Sequence, residues 1–297
     1  SSWGGVRVFL QTVTLSARCY NHPASREKGK VAQVEGKLFS QDFMQYGITG
    51  TPPWREISDE RLAVLHTSLQ QVFSALSADS SLNEANTESQ IIEKVLDLLG
   101  WGGLTLRQVT ANAGQRQDVP DFLLFADPAA KQAALQEQRQ DRCYRRGVAI
   151  LEAKRWMRPL DRGDAADRLD PGTPSNQILR YLSTVEVASD RKIRWGILTN
   201  GARWRLYWQG ARSRAEEFLE IDLAALMGVP GTLPGTPTGE PGHDLQLFFV
   251  LFRREAFLPQ DWDPQGRTFH EYALDEARLY EDRVSRDLGS QVFDTIF

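Results

Sequence analysis

The sequence predicts an α/β fold, a sheet of short strands flanked by helices. Three observations lead there. Two segments place apolar residues at i, i+3 and i+4, the period of an amphipathic helix: Leu62 to Leu76, and Ile91, Ile92, Val95 and Leu99. Gly147-Val148-Ala149-Ile150-Leu151 is a continuous apolar run, as a strand covered on both faces requires. Asn200-Gly201 separates two strand-like segments, Ile193 to Thr199 and Arg203 to Trp208, which reads as a hairpin with a type I′ turn.

The elements follow in order. Residues 1–43 lack sustained periodicity and the first methionine is Met44, so this segment reads as a tag, upstream read-through or a disordered extension. A domain is expected over 44–227. Ser58-Asp59-Glu60 caps a first helix carrying Leu62, Leu65, Leu69, Val72, Phe73 and Leu76. A second helix runs from about Glu84 to Leu99 and stops at Gly100, where glycine tolerates the left-handed C′ position. Short strands are expected at 104–110 and 119–125. The Ala/Gln/Arg-rich stretch 127–146 reads as an inserted helix, and 147–152 as a buried strand. A loop over 159–174 leads to a helix over 176–187. The hairpin comes next, then a strand over 217–221. The Pro/Gly/Thr-rich stretch 228–242 reads as a linker closing the α/β region. Beyond it, 243–297 holds an apolar helix (245–252) and a charged amphipathic segment from about Glu271. Its pattern is still running at Phe297, as at the start of a connector to a further domain.

Composition narrows the function classes. The 297 residues are 41% hydrophobic and 25% charged, ordinary for a globular chain, and the net charge of −4 excludes a general polycation. Two cysteines, Cys19 and Cys143, exclude a cysteine zinc site and a disulfide framework, and fit a reducing cytoplasm. The four histidines are scattered without ligand spacing. No apolar run is long enough to span a membrane, and the short apolar stretch near the start, broken by Arg7 and Gln11, is not expected to act as a signal peptide.

The chemistry-bearing residues lie at the ends of two expected strands. Glu152-Ala153-Lys154 closes the 147–152 run. Alternate residues of a strand share a face, so Glu152 and Lys154 point one way and Ala153 the other. Either the pair is a salt bridge at a strand end, or it belongs to a site. Asp121, after Pro120, heads the apolar run Phe122-Leu123-Leu124-Phe125; it is either a strand-entry turn residue or a second site carboxylate. Glu88 shares a helical stripe with Ile91, Ile92, Val95 and Leu99, as a partner of the helix dipole or as a functional acid. Gln177 and Tyr181, at i and i+4, lie on one helix face, as an edge pair or as braces for a neighbouring site. Glu35-Gly36-Lys37 repeats the E-x-K pattern but has no strand before it and no aspartate partner.

In this order, the helix with Glu88, two strands with Asp121 heading the second, the strand with Glu152 and Lys154, and the helix with Gln177 and Tyr181, the sequence resembles the PD-(D/E)xK nuclease superfamily. Trp195-Gly196-Ile197-Leu198-Thr199-Asn200-Gly201 followed by Trp204-Arg205-Leu206-Tyr207 is similar to the hairpin of the amino-terminal endonuclease domain of type IIG restriction–modification enzymes, and of type I restriction subunits. The likeness covers roughly 55–225 and, weakly, the end of the chain. It departs from the family in the long insert between Asp121 and Glu152, and the chain carries neither an S-adenosylmethionine-binding glycine motif nor N-P-P-Y.

The resemblance implies a restriction-endonuclease-like core, α-β-β-β-α-β around a mixed central sheet, with helical appendages. It implies Mg²⁺-dependent hydrolysis of double-stranded DNA. Asp121, Glu152 and the Ala153 carbonyl would be metal ligands, with Glu88 completing a position. Lys154 would orient the attacking water or offset transition-state charge, and Gln177 and Tyr181 would support the site. Replacing Asp121, Glu152 or Lys154 is then expected to abolish cleavage and leave folding intact. The implied partners are a methyltransferase and a target-recognition domain in a longer protein; a helicase would mark the type I alternative. A catalytically silent DNA-binding or assembly module with the same fold is the alternative of another class. From Arg139 to Arg168 nine basic residues face five acidic ones, a local excess of +4. Arg145, Arg146, Arg155 and Arg158 are thus either phosphate contacts or an ordinary solvated face. Trp195, Trp204 and Trp208 are read as core.

Overall fold

A mixed seven-stranded sheet organises the chain. The computed structural model describes residues 34–109, 119–163, 172–213, 215–232 and 241–296. The strands are β1 (Val34–Glu35), β2 (Thr105–Arg107), β3 (Phe122–Phe125), β4 (Gly147–Ala153), β5 (Trp195–Thr199), β6 (Arg203–Trp208) and β7 (Phe218–Asp222). Their order across the sheet is β1-β7-β6-β5-β4-β3-β2. Only β4 and β5 run parallel; the other neighbours are antiparallel. A parallel pair needs a crossover, and the helix between β4 and β5 supplies it.

The longer helices are α1 (Asp59–Phe73), α2, α3 (Pro128–Leu135), α4 (Pro174–Ala188), α5 (Pro241–Phe252) and α6 (Phe269–Ile296). α2 is built of Glu84–Thr87, a π-helical turn Glu88–Ile92, and Glu93–Leu98. Ser58 Oγ accepts from Arg61 N at the start of α1, and Asn83 Oδ1 accepts from Asn86 N at 2.8 Å at the start of α2. Each replaces an acceptor that the first helical turn lacks.

Strand alternation divides the core in two. On one face Ala149, Leu151 and Ala153 of β4 join Ile197, Trp204 and Leu206, covered by α1, α2, α5 and the start of α6. On the other, Ile150, Leu198 and Tyr207 meet Ile178, Tyr181, Leu182 and Val185 of α4, with Ala134 of α3. By the same alternation Glu152 and Lys154 project toward the α4 face.

Four expectations are corrected. The fold does not begin at Met44: Val34–Glu35 pairs with β7, and Leu38, Phe39 and Phe43 are buried. Residues 1–33 lie outside the described part. The helix expected over 127–146 is two pieces, α3 and a 3₁₀ stretch Gln140–Arg146, because Arg139 is extended and Cys143 and Tyr144 turn inward. Tyr144 OH donates to the Val109 carbonyl there. The β5–β6 turn is not type I′: Gly201 has φ +82° but Asn200 does not have a positive φ. Instead Asn200 Oδ1 accepts from Ala202 N at 3.1 Å and Arg203 N at 2.7 Å, an Asx turn. At Gly201 a Cβ would also meet Thr87 at 3.0 Å and Trp156 at 3.1 Å, so glycine is required for space as well as for φ.

Fourth, the segment after 242 begins inside the domain: α5 and the start of α6 pack against the sheet. Phe248 and Phe252 of α5 set their rings edge-on to Trp204 at 5.7 and 6.1 Å, and Phe269 and Ala273 of α6 are fully buried. Each such phenylalanine contributes about 1.5–3 kcal/mol by leaving water. Part of the linker, 233–240, lies outside the described residues. No helix among the described residues is long and apolar enough to cross a membrane.

Candidate functional site

The site forms where β4 ends beside the start of β3. The register that pairs Phe122 with Leu151 brings Asp121 opposite Glu152. Asp121 Oδ2 accepts a hydrogen bond from Ala153 N at 2.8 Å. In an extended strand the N–H and C=O of one residue leave on the same edge, so the Ala153 carbonyl is turned toward Asp121 too. Glu152 and Lys154 share a face, with Lys154 Nζ 2.6 Å from Glu152 Oε1 and side chains only 4% and 2% exposed for Lys154 and Glu152.

α2 brings further carboxylates. Oxygens of Glu84, Glu88 and Asp121 lie within 4.8 Å of one another, a grouping that could hold a metal ion. Glu84 also approaches Lys154 Nζ at 3.5 Å. Sequence reasoning missed Glu84. The signal was present: it stands one helical turn before Glu88, on the same face. The π-helical turn starts at Glu88, a distortion frequent at functional sites. Arg107 of β2 closes the far side, with Nη1 3.0 Å from Glu88 Oε2 and Nη2 2.8 Å from Glu93 Oε1. Trp156 locks the assembly: its backbone N donates to Thr87 Oγ1 at 2.8 Å and its indole to Ser77 O at 2.9 Å, tying the chain after Lys154 to the start of α2.

The electrostatics follow from crowding in a dry setting. Burial, then the charge of Asp121, pushes Glu152 well above the usual carboxylate range against the pull of Lys154. Burial also raises Asp121, opposed by the Ala153 amide, and Glu84, opposed by Lys154. Glu88 is driven to about 7 by burial and by Asp121, against Arg107. Burial disfavours the Lys154 charge, yet Glu152, Glu84 and Asp121 outweigh it and hold the ammonium protonated. Glu152 Oε2 is buried with no hydrogen-bond partner. Crowded carboxylates and an unsatisfied buried oxygen are the donor set that a hard divalent cation fits.

A pH dependence follows for the metal-free protein. The folded pKa of Glu88 lies above its unfolded value, so its contribution to stability is complete below about pH 4.5 and is lost as pH rises through about 7. We expect the urea midpoint at pH 8 to lie below that at pH 5.5 for wild type, with the difference reduced in Glu88→Gln. Equal pH slopes in the two proteins would contradict the crowding of Glu88.

The remaining expected residues divide. Tyr181 is buried on the α4 face, where burial and then the charge of Glu152 raise the pKa of its hydroxyl, and Gln177 Nε2 donates to that hydroxyl at 2.7 Å. Arg155 directly follows Lys154 and is half-buried. Arg158 is 1% exposed, and its Nη2 donates to Gly172 O at 3.0 Å while its carbonyl accepts from Asn200 Nδ2 at 2.7 Å. It braces the loop and is too enclosed to meet a DNA strand. Arg145 and Arg146 precede β4 and so lie about 20 Å from Glu152 at ~3.3 Å per residue, paired with Asp190 and Glu137. The structure does not bring them to the site. Trp204 and Trp195 are core residues and Trp208 packs on the core. Lys37 of the second E-x-K pairs with Glu216 on the surface.

No known protein family, no curated protein and no solved structure matches the chain.

Proposed function

We propose that this chain is a Mg²⁺-dependent endonuclease domain that hydrolyses phosphodiester bonds of double-stranded DNA, built on a PD-(D/E)xK, restriction-endonuclease-like core. One observation carries the reading. Four carboxylates and one ammonium from three separate segments (Glu84 and Glu88, Asp121, Glu152 and Lys154) meet at one end of the sheet, with Glu152 Oε2 left unbonded. A stabilising salt bridge would not need three further acids beside it.

Asp121, Glu88 and Glu84, with Glu152 Oε2 and the Ala153 carbonyl, would hold the ion. When bound, Mg²⁺ supplies positive charge at the scissile phosphate and an acidified water. Lys154 stays protonated, so its part is that of a cation beside the phosphoryl oxygens, not of a base. Glu152 Oε1 holds that ammonium in place. Tyr181, buried on the α4 face and bonded by Gln177, would support the pair from that side.

The type IIG likeness makes a methyltransferase with a target-recognition domain the proposed covalent partner, and a cytoplasmic location goes with it. Reading the gene beyond Phe297 separates this from the type I alternative, which would continue into a helicase. The direct test is incubation of the purified chain with plasmid DNA. Nicking or linearisation is expected with Mg²⁺ or Mn²⁺ and none with EDTA or Ca²⁺. Cleavage that persists in EDTA would refute the reading, and so would failure of the chain to bind any divalent ion.

A further inference from the structure

Arg107 is the one basic residue in direct contact with a carboxylate of the Glu84–Glu88–Asp121 group other than Lys154, among the contacts described. Its position is unusual. It stands on β2, at the edge of the sheet, outside the E-x-K strand and the helix that the motif marks. The guanidinium spans two acids on α2, Glu88 at 3.0 Å and Glu93 at 2.8 Å, and lies 5.0 Å from the centre of the Phe122 ring, the residue after Asp121. The side chain remains 50% exposed, whereas Glu88 is 12% exposed. A solvent-facing cation thus lies across an enclosed carboxylate at the mouth of the acidic group.

Resting on the nuclease reading, we propose that Arg107 is a positioning residue that couples the DNA backbone to metal occupancy. Without DNA it holds Glu88 Oε2 and opposes entry of a divalent cation, because an ion bound by Glu88 would sit close to the guanidinium and be repelled. A phosphodiester oxygen arriving at the half-exposed face offers the planar fork an alternative anion with matching geometry. Arg107 then swings to the phosphate and Glu88 passes to the ion. No bond is made or broken; two ion pairs are exchanged. The expected size is that of an exposed ion pair, about fivefold in affinity.

The test is calorimetric titration of the full chain with Ca²⁺, which binds hard-oxygen sites, with and without a short duplex DNA. Wild type should bind Ca²⁺ about fivefold more tightly when duplex is present. Arg107→Gln should bind with about that tighter affinity from the start, and duplex should add nothing. Arg107→Lys, which keeps the charge, should retain part of the DNA dependence. It also covers the case in which Arg107→Gln does not fold. If Arg107→Gln or Arg107→Lys binds Ca²⁺ more weakly than wild type without DNA, or keeps the full DNA dependence, Arg107 merely props the site and the coupling is overturned. If wild type binds no Ca²⁺ under either condition while remaining folded, it is the metal-site reading that fails, and this inference with it.

Discussion

Alanine in place of Lys154 is expected to abolish Mg²⁺-dependent cleavage and also to weaken the fold. The ammonium and Glu152 are both almost wholly buried and 2.6 Å apart. Replacing Lys154 takes away the cation that opposes the burial penalty on Glu152, and loss of one member of a buried pair costs about 3–5 kcal/mol. Domains of this kind are stable by roughly 5–15 kcal/mol, so the loss would be evident in a urea titration. Simple tolerance of the substitution, as the isolated motif invites, is therefore not expected. The double variant Glu152→Gln with Lys154→Met removes both charges and should recover most of the stability with no recovery of cleavage. Cleavage at the wild-type rate by Lys154→Ala would remove this residue from the chemistry. An unchanged urea midpoint would show that the pair is not buried as described.

Asparagine at position 121 is expected to do the opposite to stability. Its side-chain carbonyl can still accept from Ala153 N, while one negative charge leaves a group of crowded acids. Cleavage should fall by about 10³-fold, the scale on which loss of a principal electrostatic element is felt. The metal-free melting temperature should rise by about 2–4 °C, the shift that ~1 kcal/mol gives in a domain of this size. The rise that Mg²⁺ produces in wild type should vanish, since stabilisation by a ligand requires its site. A variant that is both inactive and less stable would point instead to a structural aspartate at the entry to β3.

Sites kept for function often cost stability, and the acidic group proposed here as a metal site would do so. The strain is electrostatic: burial raises Glu84, Glu88, Asp121 and Glu152 together, and Lys154 and Arg107 offset only part of it. The same crowding leaves a trace in the sequence. Acids at strand ends and on apolar helical stripes contradict the hydrophobic pattern around them, and such contradictions mark sites.

Helices α1, α2 and α4, strands β3 to β7 to within a few residues, and the shared face of Glu152 and Lys154 are legible in the residue pattern alone. Those depend on period 3.6, period 2 and local caps, all of which are short-range. The pattern also placed Gln177 and Tyr181 on one helix face, for the same reason. The rest is set by long-range packing. That Glu84 joins the acids, that Arg107 lies across Glu88, and that Arg158 is enclosed depend on contacts between segments far apart in the chain, which no local pattern encodes. The separation of Arg145 and Arg146 from the site needed the direction of β4: residues close in number to Glu152 stand at the other end of an extended strand. The membership of 34–43 and of α5 and α6 in the fold was likewise hidden. The apolar residues of 34–43 are few, and the apolar run of α5 follows a Pro/Gly-rich stretch that reads as a boundary; what makes both structural is the surface they cover, the β7 edge and the sheet face around Trp204.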